Sequence, residues 1–149
     1  MAFLGKRLLS KTGDVLTSSL NFTDPFLIYF SASWCPPCRS FTPRLATFYS
    51  NQKKLNKNLE VVLASLDETE NAFKAYFEKM PWLSIPFEER PLLESLSVKY
   101  GVASIPTLIL VNSNGDLLNN DCRHKIEDNP DHAYSIFLKL IQENSKKNT

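Results

Sequence analysis

The 149-residue chain has almost no net charge: 17 Lys and Arg against 16 Asp and Glu leave +1 with His neutral. Without a strongly basic or acidic field there is no electrostatic footprint for nucleic acid or an anionic membrane, and neither is expected as a partner. Long apolar runs are also missing. The longest, such as Phe26 to Phe30, fall far short of the roughly 20 residues that cross a bilayer, and no apolar run follows Leu8 and Leu9 behind Lys6 and Arg7. Neither a membrane span nor a signal peptide is expected. Cysteine is scarce as well. Three are too few for a disulfide scaffold, and an odd number suits secretion poorly, so a reducing compartment is expected, the cytoplasm or also the nucleus. No internal repeat or linker interrupts the chain.

What is present is enough for one core. At 43% hydrophobic content the chain reads as a single domain over residues 1–149, since domains commonly hold about 100 to 150 residues. Phe26 to Phe30 is a continuous apolar run suited to a strand covered on both faces. Behind Cys35-Pro36-Pro37-Cys38, the spacing of Phe41, Leu45, Phe48 and Tyr49 predicts a helix, with prolines tolerated in its first turn and a bend near Arg39 caused by Pro43. Glu60 to Leu66 predicts a second buried strand, parallel to the first. Asp67 is expected to cap a helix together with Glu70, its apolar face being Phe73, Tyr76, Phe77 and Met80. A short helix over Leu92 to Tyr100 should end at Gly101. Thr107 to Val111 is a strand, joined through Asn114-Gly115 to an antiparallel neighbour, and Asn129-Pro130 opens a last helix. Residues 1–20 read as an extension carrying an edge hairpin, and residues 144–149 as a frayed tail. The order describes an α/β fold, a central mixed sheet with helices on both faces.

The chemistry lies in Cys35 and Cys38. A helix N-terminus offers partial positive charge and free N–H groups, which lower the pKa of a thiol placed there and make Cys35 the expected nucleophile. Cys38, one turn along, would resolve the mixed disulfide. Pro36 and Pro37 donate no N–H and restrict how the disulfide closes. The competing reading is a zinc site completed by Cys122 and His124, but two prolines joining a buried strand to a helix argue for redox chemistry. Cys122 otherwise reads as a bystander, and no metal or bound cofactor is expected. Trp34 is either a substrate-facing aromatic or a lid on the core. For Ile105-Pro106 a trans bond is the default, about 5 to 6% of such bonds being cis.

The segment Phe30-Ser31-Ala32-Ser33-Trp34-Cys35-Pro36-Pro37-Cys38-Arg39, followed by Phe41-Thr42-Pro43, resembles the tryparedoxin and nucleoredoxin branch of the thioredoxin superfamily. The resemblance continues through Glu60-Val61-Val62, Tyr76-Phe77, Met80-Pro81-Trp82-Leu83 and Ser104-Ile105-Pro106-Thr107, covering roughly residues 20 to 125. It implies a thioredoxin fold, a nucleophilic Cys35, a resolving Cys38, a cis Pro106, and a substrate surface made by Trp34, Pro36, Pro37, Ile105 and Pro106. Thioredoxins carry a buried aspartate six residues before the first cysteine; here that residue is Tyr29. Asp67 and Glu68, at the end of the neighbouring strand, are the candidates for handling the Cys38 proton instead.

The expected activity is reduction of protein disulfides, the electrons coming from an external thiol reductant. Tryparedoxins pass such electrons from trypanothione to peroxiredoxins, whereas nucleoredoxin-like proteins act on signalling and transcription proteins; both partner classes stand as expectations, with the protein a monomer. The alternative is a non-enzymatic binding module whose affinity for a signalling partner changes with the redox state of the dithiol. An oxidase or isomerase would need an oxidising compartment.

Overall fold

A computed structural model describes residues 1–147. Its centre is β3 (Phe26–Ser31), in which every residue is buried. β3 pairs in parallel with β4 (Glu60–Ser65) and antiparallel with β6 (Thr107–Val111), from Phe26 opposite Glu60 and Val111 to Phe30 opposite Ala64 and Thr107. β5 (Leu83–Ser84) adds to β4, and the N-terminal hairpin of β1 (Arg7–Ser10) and β2 (Gly13–Leu16) adds antiparallel to β5. β7 (Leu117–Asn119) closes the other edge, giving the order β2-β1-β5-β4-β3-β6-β7.

Strand side chains alternate between faces, and β3 divides its residues accordingly. Leu27 and Tyr29 enter one core with residues of α1 (Pro36–Lys54), α2 (Glu70–Phe77), α4 (Cys122–Asp128) and α5 (Pro130–Lys147), including Phe41, Phe73 and Phe137. Phe26, Ile28 and Phe30 enter a second core with Leu93 and Leu96 of α3 (Arg90–Lys99) and with Leu4 and Leu8. This is the mixed sheet with helices on both faces. α1 runs on past Pro43, and α3 ends as its sequence predicts, with Gly101 at φ 64°.

Three expectations change. Asp67 does not cap α2; Thr69 does, its hydroxyl accepting from Ala72 N at 3.1 Å, because the Asp67 carboxylate is engaged elsewhere. α4 stands between β7 and the last helix, where no element was expected. The expected frayed tail is helical from Asn144 to Lys147, within α5; its last two residues, 148 and 149, lie outside the described residues.

The β6–β7 turn shows why a glycine is needed. Gly115 has φ +84°, and a Cβ there would come within 2.8 Å of the Phe3 ring. The Tyr100 hydroxyl donates to its carbonyl at 2.6 Å. Gly115→Ala is expected to cost about 2 kcal/mol, read as a melting temperature lower by roughly 6 °C; an unchanged melting curve would show that the turn moves freely away from Phe3.

Candidate active site

The chain leaves the C-terminal end of β3 through Ala32, Ser33 and Trp34 and enters α1 at Cys35, which is the N-cap. Pro36 and Pro37 occupy the first turn, where a missing N–H leaves no helical bond unmade. The amide of Cys38 donates to Cys35 Sγ at 3.3 Å, and Arg39 N donates to the Cys35 carbonyl at 3.0 Å, the first bond of the helix. Cys35 and Cys38 form a disulfide with their Cα atoms 5.2 Å apart. Cys35 is 4% exposed and Cys38 fully buried, so a partner can approach the pair from the Cys35 side alone.

Two other strand ends complete the surroundings. The Ile105-Pro106 peptide before β6 is cis, and the Ile105 carbonyl lies 3.7 Å from Cys35 Sγ. Leu66, just after β4, packs with Ile105 against Ala32, Cys35 and Cys38. Trp34 is 57% exposed and donates from Nε1 to the Leu66 carbonyl at 3.4 Å. It is a surface residue beside the dithiol, as the exposed Pro36 and Pro37 are, and not a lid on the core.

Asp67 is buried at the end of β4. Its Oδ1 accepts from Ser33 N at 3.0 Å and from Ser33 Oγ at 2.5 Å, and its Oδ2 from Ser65 Oγ at 2.7 Å. Arg90 supplies the nearby positive charge, donating from Nη1 to the Ser65 and Asp67 carbonyls. Both carboxylate oxygens are thus occupied by groups that shape the loop before Cys35, and Glu68 is exposed beside it. Below α1 lies a second polar set. Tyr29, Thr42, Tyr76 and Ser31 are joined hydroxyl to hydroxyl, and Thr42 Oγ1 donates to the Cys38 carbonyl at 2.9 Å. Sequence reading singled out Tyr29 and missed Ser33, Ser65, Arg90, Thr42 and Tyr76. Their partners lie as many as 45 residues away in the chain, and no local pattern marks them.

Cys122 belongs to the core around Phe137 and Ile126, and His124 pairs with Asp121 at 2.7 Å. Among the described residues no group of three or more His, Cys, Asp or Glu side chains is placed to hold a metal.

Residues 23–117 match the family model described as Thioredoxin-like. Tryparedoxin of Trypanosoma brucei brucei is 50% identical over 85% of this chain and 87% of its own length. Human nucleoredoxin is 37% identical over 83% of this chain, which spans 28% of that longer protein. The solved structure of a tryparedoxin II complexed with glutathionylspermidine is 38% identical, covers 87% of this chain and 92% of its own, and superposes with a TM-score of 0.77. The fold and the Cys35-Cys38 pair are those of a thioredoxin-type thiol oxidoreductase. Within that class the chain belongs to the thioredoxin-like family, in its tryparedoxin and nucleoredoxin branch.

Burial pushes the Cys122 thiol up to about 12. After reduction at neutral pH, iodoacetamide should therefore label Cys35 in the folded protein and reach Cys122 only in denaturant, as peptide mapping would show; early labelling of Cys122 would mean that its core opens readily. The unfolded chain releases this proton near pH 9 and the native protein near 12, so the stability it carries is full below pH 9 and is lost as pH rises through about 12. Cys122→Ala should make the alkaline decline of the denaturation midpoint shallower.

Proposed function

We infer that this protein reduces disulfide bonds in protein substrates by two successive thiol-disulfide exchanges. The observation that carries this reading is the asymmetry of the pair, Cys35 at the helix N-terminus on the open side and Cys38 sealed beneath it. In the reduced protein the Cys35 thiolate, favoured by the helix N-terminus, attacks one sulfur of the substrate disulfide. The Cys35–substrate bond forms, the substrate S–S bond breaks, and the departing thiolate takes a proton from solvent. Cys38 attacks Cys35 Sγ; the Cys35–Cys38 bond forms, the Cys35–substrate bond breaks, and the Cys38 proton passes to the second substrate thiolate as it leaves. The substrate gains two electrons and the dithiol loses them. Two equivalents of an external thiol reductant reverse the change, so no bound cofactor is needed.

The exposed Trp34, Pro36 and Pro37 and the Ile105-Pro106 segment form the surface that receives the substrate, with the Ile105 backbone aligning its chain beside Cys35. The higher identity to a tryparedoxin than to a nucleoredoxin favours a peroxiredoxin-type acceptor over signalling or transcription proteins, and the relative holding glutathionylspermidine suggests a glutathione-derived thiol as electron donor. A reducing compartment, the cytoplasm and with it the nucleus, keeps such a dithiol in use.

The test is a trap. Cys38→Ser strands the mixed disulfide on Cys35, and lysate proteins held covalently are identified after release by a reductant, with Cys35→Ser as control. Peroxiredoxins among the adducts support the electron-transfer role, and signalling or transcription proteins would move the assignment to the other branch. Partners that bind equally to both variants without covalent adducts would sink the enzyme and leave a redox-sensitive binding module.

A further inference from the structure

Resting on that reading, the second exchange needs Cys38 Sγ aimed at Cys35 Sγ while a substrate occupies Cys35. The structure contains a device suited to this task. Tyr29, Ser31, Thr42 and Tyr76 are all buried, and their hydroxyls form one connected set: Tyr29 to Thr42 at 2.8 Å, Tyr76 to Thr42 at 2.7 Å and Ser31 to Tyr76 at 2.7 Å. The set ends on the Cys38 carbonyl, to which Thr42 Oγ1 donates at 2.9 Å, while Tyr29 Oη stands 3.4 Å from the same oxygen.

Proton counting fixes its direction. A hydroxyl has one hydrogen to donate and two lone pairs to accept with. The Cys38 carbonyl only accepts, so the shorter of its two contacts consumes the Thr42 hydrogen. With that hydrogen spent, Tyr29 and Tyr76 both donate to Thr42 Oγ1, the longer 3.4 Å contact of Tyr29 with the Cys38 carbonyl is left without a hydrogen, and Tyr76 accepts from Ser31. Every link points the same way, from β3 and α2 through Thr42 to Cys38. Burial, and then the neighbouring Tyr76, push the Tyr29 phenol up from its usual value, so Tyr29 is uncharged where thioredoxins have a carboxylate.

We propose that the Ser31-Tyr76-Thr42-Tyr29 hydroxyl set positions the resolving cysteine, holding the Cys38 backbone so that its sulfur meets the mixed disulfide in attack geometry. Tyr29, Thr42 and Tyr76 are then positioning residues for the second exchange. The first exchange, carried by Cys35 on the opposite side of the pair, does not depend on them.

One experiment reads both exchanges. A single turnover of the reduced protein with dithiobis(2-nitrobenzoate) releases one nitrothiobenzoate in a concentration-dependent phase, as Cys35 attacks, and a second in a concentration-independent phase, as Cys38 resolves. Thr42→Val and Tyr76→Phe should slow the second phase by about tenfold to a hundredfold, the scale on which small misplacements act, and leave the first within about twofold. Thr42→Ser, which keeps the hydroxyl, should restore the second phase. Melting curves confirm that each variant is folded at the assay temperature. Equal slowing of both phases, or two wild-type phases in variants that merely melt earlier, would overturn the positioning role. No second phase in the unmutated protein would overturn the exchange reading itself.

Discussion

Every group at this site depends on the pairing of three strands. β3 lies between parallel β4 and antiparallel β6, and the register sets Phe30 opposite Ala64 and Thr107. The chain therefore leaves β3 beside the point where it leaves β4 and enters β6. Ala32 to Cys35, Leu66 with Asp67, and Ile105 with Pro106 converge because they are the next residues at those three ends. A slip of one residue would turn each strand's core face to the opposite side, and burial on both faces opposes any such slip: all six residues of β3 are covered.

The same alternation decides which polar groups support the dithiol. Tyr29 and Ser31 are two residues apart on β3 and share its α1-α2 side, where Thr42 and Tyr76 wait, whereas Phe30 between them enters the other core. A buried hydroxyl left without a partner costs about 1–3 kcal/mol, so a set of this kind is stable when every member is bonded, as here. On the other flank, Asp67 is a buried acid with three donors and a guanidinium close by. Removing either partner there would strand a polar group in the interior. One support shapes the loop that leads into Cys35, and the other holds the residue behind Cys38.

The parts legible in the sequence are those whose signal is local. The apolar run of β3, the Cys35 and proline start of α1, and Gly101 after α3 each announce themselves within a few residues. α4 escaped because Cys122 and Ile126 are its only buried residues, too few to show a period, and β5 because it holds two residues between Pro81 and Pro86. Asp67 reads as a cap because Asp before an apolar helical pattern usually is one, whereas its partner Ser33 is 34 positions away. Tyr29 stands out through an absence, the missing aspartate, but the hydroxyls it meets come from α1 and α2 and become neighbours only when both helices dock on the same face of the sheet.

The two prolines between the cysteines acquire a physical role from this geometry. A helix N-terminus stabilises an anion mainly through its unpaired amide N–H groups, and Pro36 and Pro37 remove two of them. Of the amides at the first three helical positions only that of Cys38 remains, and it points at Cys35 Sγ from 3.3 Å. In the disulfide, Cys35 Sγ thus receives one amide hydrogen bond where a motif without prolines could offer more. Strong stabilisation of the reduced form is what makes a dithiol an oxidant. Pro36 and Pro37 thus withhold from the helix end two of the donors through which it would stabilise a thiolate.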